Sequence, residues 1–167
     1  LVPSNAMWKG TFAIGSHVAA GTGFGGEGNP GYYLGVRRYP YSANFMKNGL
    51  TFKHIQLGQA LPLVPGAPTN DNTEVHNAGE VWASALWEGY VAMLTTPRYG
   101  YAIAHERMLQ YLVASLKVTP ILPTYLEARD AFLSVVAAKD PQDLTLWLAA
   151  FARRGIGLKA TGPDRFA

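Results

Sequence analysis

A histidine, an arginine pair and two incomplete motifs are the places where this chain's residue types and spacing could do chemistry. His76 lies in Asp71-Asn72-Thr73-Glu74-Val75-His76-Asn77-Ala78-Gly79, at the mouth of a long helical pattern. The positive end of a helix disfavours a cationic imidazole. A carboxylate five residues earlier, Asp71, can restore the ring's proton and fix its tautomer. Taken alone, the residue reads first as a capping or surface histidine, and the functional reading needs support from elsewhere. Arg37 opens Arg37-Arg38-Tyr39-Pro40-Tyr41-Ser42. A guanidinium grips a peptide carbonyl with parallel N–H donors, which an ammonium cannot do. The plain alternative is a surface arginine pair beside an aromatic turn.

The incomplete motifs exclude more than they offer. His105-Glu106 starts an H-E-x-x-H pattern, but Leu109 takes the second histidine's place. Zinc needs imidazoles one helical turn apart plus a further ligand, so this reads as a solvated helix start. His17, His54 and His76 have no ligand spacing among themselves, and the chain has no cysteine. No metal site is expected within it. Gly21-Thr22-Gly23-Phe24-Gly25-Gly26 satisfies G-x-G-x-x-G, but Glu27-Gly28-Asn29-Pro30-Gly31 follows and cannot open the helix that a dinucleotide site requires. That run reads as a flexible loop.

The elements that position these residues change texture near residue 70. Residues 1–6 read as an expression-tag remnant and stand outside the fold reasoning. Residues 7–70 form an irregular Gly/Pro-rich segment, with short extended pieces over 10–19 and 31–39 and a turn-rich loop over 63–72. Residues 71–167 read as a helical bundle, and 7–167 together as one domain.

The first helix covers about 73–94, with Val75, Ala78, Trp82, Ala85, Leu86 and Met93 on one side. The second covers about 101–117, with a stripe of Leu109, Leu112, Val113 and Leu116. The third begins after Pro123, where Thr124 and Glu127 make a capping box, and turns Leu126, Phe132, Leu133 and Val136 inward. The fourth has Asp140 as N-cap and Pro141 at N1. It carries Leu144, Trp147, Leu148 and Phe151 and stops at Arg153-Arg154-Gly155.

Composition narrows the function classes. Hydrophobic residues make up 49% and charged residues 15%, which suits a packed domain and excludes a polyelectrolyte. The net charge of +3 comes from scattered residues, so no nucleic-acid partner is implied. No apolar run approaches the roughly 20 residues of a membrane span. No signal peptide stands at the start, which says nothing about export from a cut chain.

Four motifs in register carry a resemblance. Gly35-Val36-Arg37-Arg38-Tyr39-Pro40-Tyr41-Ser42 is similar to G-[IV]-R-x-Y-P-Y-S, and Val75-His76-Asn77-Ala78-Gly79-Glu80-Val81-Trp82-Ala83 to V-H-x-x-G-x-V-W-A. Ala128-Arg129-Asp130-Ala131 and Phe151-Ala152-Arg153-Arg154-Gly155-Ile156-Gly157 are similar to A-R-D-A and F-A-[KR]-R-G-[LI]-G. Together they resemble the fungalysin family of secreted zinc metalloendopeptidases, of the thermolysin-like group, from about residue 10 to about residue 158.

The resemblance implies a mainly α fold, the C-terminal helical lobe of such a peptidase with an irregular N-terminal third. It also implies proteolysis by zinc-bound water in the complete enzyme, peptide or protein substrates, and an extracellular setting. His76 matches the imidazole that donates to the tetrahedral oxyanion, Asp71 the carboxylate that orients it, and Arg37 the arginine that binds a substrate carbonyl. The family's H-E-x-x-H helix and third ligand lie upstream of everything aligned. Glu27 imitates part of the third-ligand segment, but Asn29-Pro30 follow, so no ligand is assigned there. Ile121-Leu122-Pro123 and Asp143-Leu144-Thr145 stand where relatives often carry cysteine.

The leading expectation is therefore a substrate-binding lobe that is inactive without a zinc-binding N-terminal lobe. A non-catalytic binding module descended from the peptidase is the alternative. Self-association through an exposed lobe interface is a third expectation.

Overall fold

A computed structural model describes residues 8, 10–19, 31–62 and 71–165. The tag remnant over 1–6, the Gly21 to Gly26 run, Glu27 and the 63–70 part of the turn-rich loop lie outside the described residues. The protein is mainly helical, as its periodicity predicts. In chain order come α1 (Ser16–Ala19), α2 (Gly31–Leu34), a 3-10 turn (Phe52–Ile55), α3 (Val75–Thr95), α4 (Tyr101–Val118), α5 (Tyr125–Lys139) and α6 (Pro141–Arg153). The chain forms two compact units, one over Met7–Trp87 and one including Glu88–Ala167. Helix α3 gives its residues up to Trp87 to the first and those from Glu88 onward to the second.

In the first unit, single helical turns replace part of the extended pieces expected over 10–19 and 31–39. The amides of Val18 and Ala19 both donate to the carbonyl of Gly15 at 3.0 Å, which closes α1. Among the described residues two isolated bridges remain, antiparallel between Phe12 and Tyr41 and parallel between Ile14 and Gly35. Gly35 explains the change. Its φ of 63° is left-handed, and a Cβ there would sit 1.9 Å from the carbonyl oxygen of Ile14. Only glycine turns the chain out of α2 and brings it that close. A small core of Tyr39, Leu50 and Val81 forms beside this turn, with Ile55 and Leu61 packed on it.

In the second unit α4 packs on α5 and α5 on α6. Capping chemistry sets the helix starts as the sequence predicts. The Thr124 hydroxyl accepts from the Glu127 amide while the Glu127 carboxylate accepts from the Thr124 amide. The Asp140 carboxylate accepts from the amides of Gln142 and Asp143. Aromatic rings fill the centre, with Phe132 4.4 Å from Trp147 and 5.8 Å from Phe151. Gly89 of α3 meets this cluster so closely that a Cβ would lie 2.1 Å from Trp147. Bulk at position 89 would displace the indole.

Helix α4 departs from its expected face. Leu109, Val113 and Leu116 are about half or more exposed, while Ala104, Tyr111 and Ser115 are buried. Polar bonding turns the helix this way. The Tyr111 hydroxyl donates to Asp143 at 2.6 Å, and Arg107 reaches Asp140 at 2.8 Å and Asp143 at 3.0 Å. Arg98 and Tyr99 bond the same two carboxylates. Asp143 is fully buried, so these donors must face inward to satisfy it. On α3, too, the expected side is only partly right: Ala85 and Met93 are buried, but Val75 is exposed. None of the described helices is long and apolar enough to cross a membrane.

Candidate functional site

The site builds from the turn into α3. The Asp71 carboxylate accepts from the Thr73 amide at 2.7 Å and from the Thr73 hydroxyl at 2.6 Å. These bonds, the hydroxyl's first, hold the Asp71 carboxyl below its usual range. The Asp71 carbonyl accepts from the Asn77 side chain at 2.8 Å. The local chain is thus an Asx turn that delivers the backbone to the helix.

Glu74 follows as the residue before the helix. One of its oxygens accepts from the His76 amide at 3.0 Å and the Asn77 amide at 3.1 Å. The other lies 2.7 Å from His76 Nδ1. Glu74 therefore caps α3 and holds the ring with a single carboxylate. The bond to the His76 side chain is the chief reason its carboxyl sits below the usual range. Both side chains are substantially exposed, at 72% and 43%, so water screens their attraction and the gain is chiefly positional. With a carboxylate on Nδ1, that nitrogen carries hydrogen and Nε2 is the one left for chemistry.

Arg37 is half-buried, and its Nη1 makes one long bond, 3.3 Å, to the Val36 carbonyl. Its Nε is buried and pairs with no group among the described residues. A buried unpaired donor costs about 1–3 kcal/mol, so the protein's own groups leave this guanidinium incompletely satisfied. Tyr41 stands beside it. Burial pushes the Tyr41 phenol up, and its hydrogen bond with Arg37 opposes that.

The plain alternative of a surface arginine pair fails at Arg38. Only 3% of it is exposed. Its Nε donates to Glu80 at 2.8 Å, Nη1 to the Asn72 side chain at 2.9 Å, and Nη2 to the Asn77 carbonyl at 2.9 Å. The second Glu80 oxygen accepts from the Tyr39 amide at 2.7 Å. Burial raises the Glu80 carboxyl, and the bond from Arg38 opposes it most. The backbone beside Arg37 and the backbone beside His76 are thus held within one arginine's reach.

The structure therefore ties the Arg37 segment to the His76 turn and gives the ring a carboxylate, Glu74, that the spacing argument passed over in favour of Asp71. The missed signal was E-x-H straddling a helix start, where a capping side chain points at the second and third helical residues. Glu80 was missed because a carboxylate in a helical stretch reads as solvated unless a partner is visible.

Two other histidines have partners of their own. His105 is exposed, with Tyr90 hydroxyl 2.9 Å from its Nδ1 and Tyr101 stacked at 5.8 Å. His54 is buried and caps the 3-10 turn, its Nδ1 accepting from the Thr51 amide at 2.8 Å. Among the described residues no three His, Cys, Asp or Glu side chains converge to hold a metal ion. The described residues do not fit a zinc centre.

The four motifs mate in pairs. The arginine motif bonds the histidine motif through Arg38 and Glu80. In the second unit, Arg129 donates to the carbonyls of Ile156 at 3.3 Å and Gly157 at 2.6 Å, which joins the A-R-D-A run to the last motif. The fungalysin metallopeptidase family model matches residues 9–160. The chain belongs to this family. An extracellular metalloproteinase of Aspergillus terreus is 32% identical over 141 residues, covering 75% of this chain and 20% of that protein. One from Pyricularia oryzae is 30% identical over 137 residues, covering 74% and 19%. A probable extracellular metalloproteinase 5 of Arthroderma benhamiae is 28% identical over 139 residues. The chain spans about a fifth of the length of these fungalysin relatives.

Proposed function

We propose that this chain is the substrate-binding, C-terminal lobe of an extracellular zinc-dependent metalloendopeptidase, with peptide or protein substrates. The observation that carries the reading is the Glu74–His76 pair at the mouth of α3, tied through Arg38 to the segment of Arg37. In this reading His76, held through Nδ1 by Glu74 and protonated on both ring nitrogens, donates from Nε2 to the oxygen that becomes negative as a peptide carbonyl is attacked. A donor fixed in advance stabilises that charge without reorganising. Arg37 takes a neighbouring substrate carbonyl, a role that its planar fork of N–H donors suits. Asp71 shapes the turn that sets His76 rather than orienting the ring directly. The zinc and its chemistry belong to residues other than those described here, in the complete enzyme.

In the full-length protein that carries this chain, His76→Ala should lower kcat on casein about 10²–10³-fold. Arg37→Ala should act mainly on KM. An unchanged kcat in His76→Ala would sink the assignment. One tightly held zinc per 167-residue chain, with chelator-sensitive casein cleavage by that chain alone, would do the same.

A further inference from the structure

Arg38 and Glu80 are an expensive way to hold two segments together. Arg38 is 3% exposed and the Glu80 side chain 0%. A buried ion pair rarely stabilises a fold more than well-packed apolar residues would, but it does demand one geometry. Here the demand is met on every side. Arg38 spends its three nitrogens on Glu80 in α3, on the Asn77 carbonyl in the first turn of α3, and on Asn72 in the turn before it. Asn72 is itself anchored, its amide donating to the carbonyls of Gln56 at 3.0 Å and Gln59 at 2.7 Å. Glu80 reaches back with its second oxygen to the Tyr39 amide. The contact is reciprocal: a side chain from each segment grips the other.

Arg37 immediately precedes Arg38, and His76 immediately precedes Asn77. We propose that Arg38 and Glu80 are positioning residues, a lock that fixes the register of the Arg37 segment against the His76 turn so that one peptide meets both. The proposal rests on the substrate-site reading above. The lock needs a carboxylate. Glu80 offers two acceptors to two donors, the Arg38 Nε–H and the Tyr39 N–H. A glutamine of equal size has one acceptor and an NH₂ that must face a donor.

The test uses the 167-residue chain as it stands, with E80Q, R38K, E80D and R37A variants. Amide hydrogen exchange at Arg37, Tyr41 and Ala78, whose N–H groups bond Leu34, Phe12 and Glu74 carbonyls, reports the two segments. In E80Q, exchange at all three should rise together by about 10–100-fold, the loss of one charged hydrogen bond, with the amides of α5 and α6 unchanged. R38K keeps the charge but loses the fork; it should match E80Q and serves if E80Q does not fold. E80D keeps both oxygens and should recover part of the protection.

The second readout is binding of the blocked peptide acetyl-Ala-Leu-Ala-amide, followed by the ¹⁵N shifts of the Arg37 and His76 side chains. E80Q should bind as weakly as R37A although Arg37 and His76 are intact. Native affinity in E80Q overturns the proposal, as does faster exchange confined to Tyr39 or spread evenly through residues 10–87. A native chain that binds no peptide, while E80Q still frees both segments, overturns the substrate-site reading and leaves the lock structural only.

Discussion

One carboxylate does two jobs at residue 74. It closes the open N–H groups of α3 and holds the His76 ring, so the tautomer at position 76 depends on the same bonds that start the helix. This differs from an arrangement in which Asp71 holds the ring, because Asp71 is engaged with Thr73. The two can be separated. E74Q should alter the imidazole ¹⁵N shifts of His76, which report the tautomer, and fray the first turn of α3. D71N should loosen the Thr73 turn and leave those shifts in place. Shifts that follow D71N and ignore E74Q would return the orienting role to Asp71. The motif containing His76 was legible in the sequence. Its partner was not, since a two-residue spacing puts side chains on different faces inside a helix and meets only at a capped end.

Among the elements, α4 shows most clearly how periodicity can be right about a helix and wrong about its face. Its bounds match the pattern within a residue. Its leucine and valine stripe nevertheless lies outward, because four donors converge on Asp140 and Asp143 from the other side. Burying a few half-exposed apolar side chains would gain less than leaving a fully buried carboxylate unsatisfied would cost. Tyr111→Phe should therefore cost about 1–3 kcal/mol in chemical denaturation. Leu116→Lys should change stability by no more than about 0.5 kcal/mol. The opposite order would mean that the aliphatic stripe faces the core after all. Helices α5 and α6 gave no such surprise, since capping residues and apolar faces agree there, with Phe132, Leu133, Val136, Trp147 and Phe151 all buried as the pattern requires.

At the scale of the whole chain, His54 and Asp140 should give acid two separate points of attack, because they titrate differently. Burial holds His54 below its ordinary value of 6.5, with the nearby Lys53 and Arg38 adding to that and the Thr51 carbonyl opposing. The unfolded chain then takes the proton more readily than the folded one, so stability falls as pH drops below about 6.5. Asp140 is the reverse case. Burial pushes its carboxyl up, but bonds from Arg98, Tyr99 and the α6 amides outweigh that and leave it well below the usual 3.8. Its stabilisation is complete above that value and is lost as pH falls beneath it. A melting-temperature series against pH should show both losses in the native chain. H54N, whose side-chain oxygen can replace Nδ1 as acceptor, should flatten the first; D140N should flatten the second. A native curve that is level from about pH 7 to about pH 5 would contradict the His54 assignment.

By itself the sequence determined the class of the fold, the positions of α3 to α6 with the N-caps of α5 and α6, the family, and His76 and Arg37 as candidate site residues. All of these depend on interactions along a few turns of chain or on patterns of residue type, and neither needs a partner from far away. The tertiary structure alone decided that Arg38 is interior, that Glu80 and Glu88 are buried carboxylates bonded to Arg38 and Arg154, and that α4 turns its aliphatic stripe outward. Each of those outcomes is set by a charge whose partner lies tens of residues away. A charged side chain reads as solvated until folding brings its counter-charge within hydrogen-bond distance.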